Sequence, residues 1–233
     1  FYEQIENAGN QLPARPSVFQ FFRQATGLPA ESTWVITSKD KLFVLGNTSD
    51  PTWKGRLQPA LDCGVPARGP FGGYRDDRLT LAAAKAVLTK HHPALLLINF
   101  KEPDAAGHAK NWPGYLQGIR DTDSYVAELW QHIQADPELK DRTDLFITND
   151  HGRHLDGHGD GYISHGDDCE GCRQISLVAV GPDIAVGQVF KDVRTQIDLG
   201  VTIAHLAGVS LPGSPGHVMT EMLVTVPSER GQK

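Results

Sequence analysis

Little in this chain places it at once in a specialised class. It has only three cysteines in 233 residues, too few for a disulfide framework, although Cys169 and Cys172 are spaced to pair with each other. No apolar run approaches the ~18 residues of a membrane span, so no stretch is expected to cross a bilayer. There is no dense Lys/Arg patch, and a formal net charge of −6 argues against a nucleic-acid scaffold. The opening Phe1-Tyr2-Glu3 offers neither an initiator Met nor a signal peptide, and reads as the start of a mature or partial chain. Internal repeats and low-complexity segments are also missing. With 39% hydrophobic and 21% charged residues, what remains is an ordinary globular composition, long enough to bury a sizeable core. The one surplus is histidine: ten residues, which is more than a core needs.

The chain is organised around Leu95 to His108. An apolar run (Leu95, Leu96, Leu97, Ile98, then Phe100) stops at Lys101-Glu102-Pro103, and Asp104 and His108 follow, four residues apart. A short apolar run with a Pro stop predicts a strand buried on both faces. Its C-terminal tip is where open parallel sheets place their ligands. The arrangement recurs at Leu145 to Thr148, followed by Asp150, His151 and Gly152. Two strands each delivering an Asp and a His to one sheet edge predict a divided metal site.

Around these strands, the spacing predicts a helix over 15–25, starting at Pro16 or Ser17, and a short β-branched strand at Thr33 to Thr37. Residues 47–74 hold five Gly and four Pro with no sustained period, which predicts an irregular lid or rim. Further helices are expected at 79–89, 114–134 and 195–207, and a further strand at 175–180. Strands alternating with helices predict an α/β domain with a parallel, mostly doubly wound sheet.

Each candidate has a plain structural reading beside the functional one. Asp104 and His108 share one face of a helical turn, and Gly107 leaves room for an ion; alternatively, Asp104 caps a short helix and His108 lies on the surface. Asp and His together suit Zn²⁺ or Mn²⁺ better than Ca²⁺. Asp150-His151 reach one ion only if the chain turns, and polar groups just after a buried strand are costly unless satisfied. His165 is the candidate last ligand. The His154, Asp156, His158, Asp160 tract has the alternation of a further ion site, but reads better as a solvated loop. Cys169 and Cys172 read as a local disulfide or packed thiols rather than a redox pair, since they open no predicted helix.

Taken in order, Glu102-Pro103-Asp104-Ala105-Ala106-Gly107-His108, Asn149-Asp150-His151-Gly152 and Ser164-His165-Gly166 resemble the alkaline phosphatase superfamily. The nearest branch is its type I phosphodiesterase/nucleotide pyrophosphatase and sulfatase-like metalloenzymes. The resemblance implies a three-layer α/β sandwich and two-metal hydrolysis of a small anionic ester. It assigns Asp104, His108 and His165 to one divalent ion and Asp150 and His151 to the second, with Zn²⁺ favoured over Mn²⁺. Lys101 and Arg153 either bind the anionic substrate or are ordinary rim charges. A phosphate ester is favoured; a sulfatase, a phosphosugar mutase or a non-catalytic module on this fold are the alternatives. A periplasmic or extracellular location is slightly favoured, and the oligomeric state is left open.

The sequence also departs from that pattern. The family's first strand carries a further metal-ligating Asp and then a Thr, Ser or modified Cys nucleophile. Residues 1–14 contain no strand and no Asp, and Thr33 and Thr37 follow the first helix. The expectation is therefore a single hydrolase domain over 1–233 that lacks this strand and its nucleophile. Such a chain should have an incomplete second metal site and negligible turnover by itself.

Overall fold

The computed structural model describes residues 7–65 and 72–224. Its centre is β1 (Thr33–Thr37), flanked by β2 (Ala60–Cys63) and β3 (Leu95–Asn99), both parallel to it. The register sets Thr37 opposite both Cys63 and Asn99, so all three strands end at the same edge. β4 (Leu145–Thr148) and β5 (Leu177–Val180) form a separate antiparallel pair, with Thr148 opposite Leu177.

The fold is α/β with a parallel sheet flanked by helices, as the sequence pattern requires, but particular elements differ from expectation. β2 lies inside the stretch read as irregular. It is a four-residue edge strand whose apolar pattern Asp62 interrupts, and nothing in its own composition announces it. β1, not β3, is the strand buried on both faces: its Val35 and Ile36 are fully buried, whereas all five residues of β3 are only partly buried. Among the described residues β3 has a strand on one side only, so a continuous apolar run marked sheet membership without marking a central position.

The helices follow local chemistry. α1 (Val18–Thr26) starts at Ser17, whose hydroxyl accepts from Gln20 N while Gln20 Oε1 accepts from Ser17 N, a reciprocal capping box. α2 (Asp77–His91) and α4 (Trp112–Ala135) cover the sheet face that carries Ile36. Leu81, Ala84, Val87 and Leu88 of α2 meet Tyr125, Leu129 and Ile133 of α4 there, with Leu96 and Ile98 of β3 packed alongside. Between the two comes the one-turn α3 (Asp104–His108). α5 (Glu170–Arg173) and α6 (Gln196–Leu206) complete the set, α6 capped by Thr195. No described helix is long and apolar enough to cross a membrane.

A buried carboxylate ties the strand ends together beneath the site. Asp77 Oδ1 accepts from Ser38 Oγ (2.5 Å), just past β1, and from Lys101 N (2.8 Å), just past β3. Its Oδ2 accepts from Glu102 N (3.1 Å). Asp77 is only 5% exposed, so water cannot replace these bonds. Asp77→Ala should leave the Lys101 and Glu102 amides without this acceptor and Ser38 Oγ with Thr80 alone, at a cost of about 3 kcal/mol, or roughly 6–12 °C of thermal midpoint in a domain of this size. An unchanged midpoint in a thermal melt would show that Asp77 does not anchor the site-bearing loops.

Candidate metal centre

The side chains singled out in the sequence come from three segments: α3 after β3, the turn after β4, and the loop leading to α5. The parallel register brings the first to the edge where β1 ends. There the structure gathers Asp104, His108, His151 and His165. His108 Nε2 lies 3.3 Å and His165 Nε2 3.4 Å from Asp104 Oδ1, and the two imidazole nitrogens are 3.2 Å apart. His151 stacks on His165 with ring centroids 3.5 Å apart, and one ligand atom each from Asp104, His151 and His165 falls within 4.8 Å of the others. His151 thus lies with Asp104 and His165 rather than in a clearly separate group with Asp150. Asp150 is the outermost member, two-thirds exposed, with Oδ2 3.5 Å from His151 Nε2.

Two residues that the sequence reading passed over or placed differently hold Asp104. Lys39, only 7% exposed at the end of β1, donates from Nζ to Asp104 Oδ2 at 2.7 Å. Arg153 donates to Asp104 Oδ1, to the Asp104 carbonyl (2.8 Å), and to the carbonyls of Tyr162 (3.1 Å) and Ile163 (2.9 Å). Arg153, read in the sequence as a substrate contact or a rim charge, forms a buried tether between α3 and the loop carrying His165. Gly107 makes room for it: a Cβ there would sit 2.6 Å from the guanidinium carbon, so the missing side chain admits Arg153 rather than an ion. Lys101, the other expected substrate contact, pairs with Glu102 at 3.0 Å. Lys39 was legible by the rule that drew attention to Asp104 and Asp150: a charged residue just past a buried strand.

The electrostatics suit a cation. Burial opposes ionisation of Asp104, but Lys39, then Arg153 and His108, outweigh it and hold its pKa below the ordinary value. Burial and the neighbouring His151 push His165 down from 6.5 to about 4, which leaves its ring neutral near neutral pH. His151 Nδ1 lies 2.9 Å from the Gly152 carbonyl, a pure acceptor, so Nδ1 carries the proton and Nε2 offers a lone pair. Carboxylate oxygens and imidazole lone pairs crowded to within 3.5 Å repel one another unless a proton or cation joins them. The donor set fits a divalent ion.

The His165 shift has a testable sign. Between pH 6.5 and about 4 the unfolded chain protonates His165 and the folded chain does not, so stability should fall as the pH drops through that window. Denaturant titrations of the metal-free chain should show this slope, flattened in His165→Asn. Equal slopes in the two proteins would mean that the fold does not hold His165 neutral.

The sulfatase ppz1 of Metarhizium majus (strain ARSEF 297) is 32% identical over 98 residues, 41% of this chain and 22% of that protein. The chain therefore spans only about a fifth of that curated relative. A sequence profile of the type I phosphodiesterase / nucleotide pyrophosphatase family matches residues 13–155, a stretch that holds Lys39, Asp104, His108, Asp150, His151 and Arg153 and stops short of His165. That profile covers more than half of the chain, which belongs to the type I phosphodiesterase / nucleotide pyrophosphatase family of the alkaline phosphatase superfamily, a metal-dependent group.

Proposed function

We propose that this chain carries the metal-binding part of a hydrolase acting on phosphate esters, of the phosphodiesterase type, with two divalent ions. The observation that carries the reading is the meeting of one carboxylate and three imidazoles, from three chain segments, at one sheet edge. Asp104, His151 and His165, with His108 beside them, would hold one ion, and Asp150 with His151 would face the second. Mixed nitrogen and oxygen donors favour Zn²⁺, with Mn²⁺ as the alternative. Bound ions of this kind stabilise charge on the transferring group and activate an oxygen nucleophile.

The chain's own residues supply the rest of an anion site. Lys39 and Arg153 hold Asp104 ionised and oriented, and Lys41 lies near enough to feel the charges of Asp104 and Asp150. Burial and the adjacent Lys39 lower the Lys41 pKa. A hydroxyl free to attack is harder to find. Thr37 and Ser38, just before Lys39, are fully buried; Thr37 Oγ1 donates to the Lys39 carbonyl, and Ser38 Oγ is shared between Asp77 and Thr80. Ser164 donates to Asp160. Neither segment offers a nucleophile, so binding and turnover are expected to separate.

A sulfate ester is the second reading, favoured by the curated relative being named a sulfatase. Calorimetry on the Zn²⁺-loaded chain distinguishes the two. Inorganic phosphate should bind more tightly than sulfate, bind weakly or not at all after chelation, and lose on the order of tenfold or more in His165→Asn. Tighter binding of sulfate would favour the second reading, and binding of neither anion would contradict an anionic-ester site. Incubation with the p-nitrophenyl phosphate mono- and diesters should release no product above background. Turnover abolished by His108→Ala would mean that the chain provides its own nucleophile.

A further inference from the structure

A second cluster stands apart from the residues assigned above. His154, His158, Asp167 and Cys169 each place one ligand atom within 4.8 Å of the others. His158 Nε2 lies 2.8 Å from Asp167 Oδ2, and His154 Nε2 lies 3.3 Å from the same oxygen. We propose that these four residues bind a Zn²⁺ ion of their own, which clips the loop that carries His165.

His154 makes the strongest case. Its ring is largely buried, with Nδ1 3.1 Å from Asp160 Oδ1, and Asp160 also accepts from Ser164 Oγ at 2.5 Å. A carboxylate on Nδ1 fixes the proton there and leaves the Nε2 lone pair outward, as in carboxylate–histidine–metal arrangements. That Nε2 is buried, and despite its proximity to Asp167 it makes no hydrogen bond. A buried acceptor without a partner is costly, and a cation shared with Asp167 removes the cost.

Donor chemistry selects the ion. Two imidazoles, one carboxylate and one thiolate suit tetrahedral Zn²⁺, whereas Ca²⁺ and Mg²⁺ prefer oxygen throughout. Cys169 is a free thiol whose Sγ accepts from Cys172 N at 3.4 Å. Glycine packing brings it into place: a Cβ on Gly152 would sit 1.9 Å from the Gly171 carbonyl, so the 169–172 segment lies against the strand-end turn only because Gly152 has none. The two clusters differ in charge balance. Asp104 is neutralised by Lys39 and Arg153, but among the described residues no Lys or Arg pairs with Asp160 or Asp167.

The site would have a structural consequence. His165 lies between Ser164, bonded to the carboxylate that orients His154, and Asp167, a ligand. An ion here holds both sides of His165 while contributing no ligand atom to the first site. This inference does not depend on the hydrolase reading, and sulfur makes the two sites separable. Co²⁺ added to the reduced, chelator-treated chain should give a thiolate-to-metal charge-transfer band, since only the second cluster contains sulfur. The band should persist in Asp104→Asn and in Cys172→Ser, and vanish in Cys169→Ser. Its absence from the unmodified chain, or its survival in Cys169→Ser, would overturn the proposal; loss in Cys172→Ser alone would overturn the choice of sulfur ligand. As a check that needs no variant, Zn²⁺ should slow alkylation of Cys169 several-fold and leave Cys63 unaffected. Equal rates at Cys169 with and without Zn²⁺ would also refute it.

Discussion

A carboxylate brought out of water must be met by positive charge, and Asp104 is the place where this chain does so. Its side chain is 20% exposed. Lys39 comes to it from the end of β1 and Arg153 from the segment after β4, while His108 reaches it from its own helical turn. The segment after β4, which shares no backbone hydrogen-bond ladder with β1 or β3, is thereby joined to their ends through one side chain. Removing one partner of such a pair leaves a charge unmatched, which is the costly case for a buried ion pair. The arrangement also prepares the site for a stronger cation, since a carboxylate already ionised and fixed needs little rearrangement to accept a metal.

Beneath that point the geometry is set by register. Because β1, β2 and β3 run parallel and end level, Ser38–Lys39, Gly64 and the Lys101–Asp104 segment leave the sheet together. Asp77 at the start of α2 then bonds to two of the three exits. The polar layer under the candidate metal centre is thus part of the fold's own hydrogen-bond accounting.

Much of this was legible in the sequence, and the rest was hidden for physical reasons. Strand tips ending in Asp and His carried both the family resemblance and the convergence at one edge. The helices at Val18–Thr26 and Gln196–Leu206 were readable from local sequence, and the N-caps Ser17 and Thr195 show why they start where they do. β2 was not legible, since four residues with an Asp among them take their strand character from pairing with β1. The antiparallel direction of β5 was equally hidden, because an apolar tetrapeptide does not encode strand polarity. Arg153 read as a substrate contact or a rim charge; its meaning lies in a contact with Asp104, 49 residues away. The His154 to Cys169 loop read as solvated because alternating polar residues look alike whether they face water or one another.

The central claim is that Asp104 is the anchor of a cation site shared with His151 and His165. Diffraction from Zn²⁺-soaked crystals of this chain at the zinc absorption edge tests it most directly. An anomalous peak should lie about 2.0–2.2 Å from an Asp104 oxygen and from His165 Nε2, with the Lys39 contact lengthened. A fully paired Asp104 with no peak beside it, while zinc is bound elsewhere on the chain, would contradict the account.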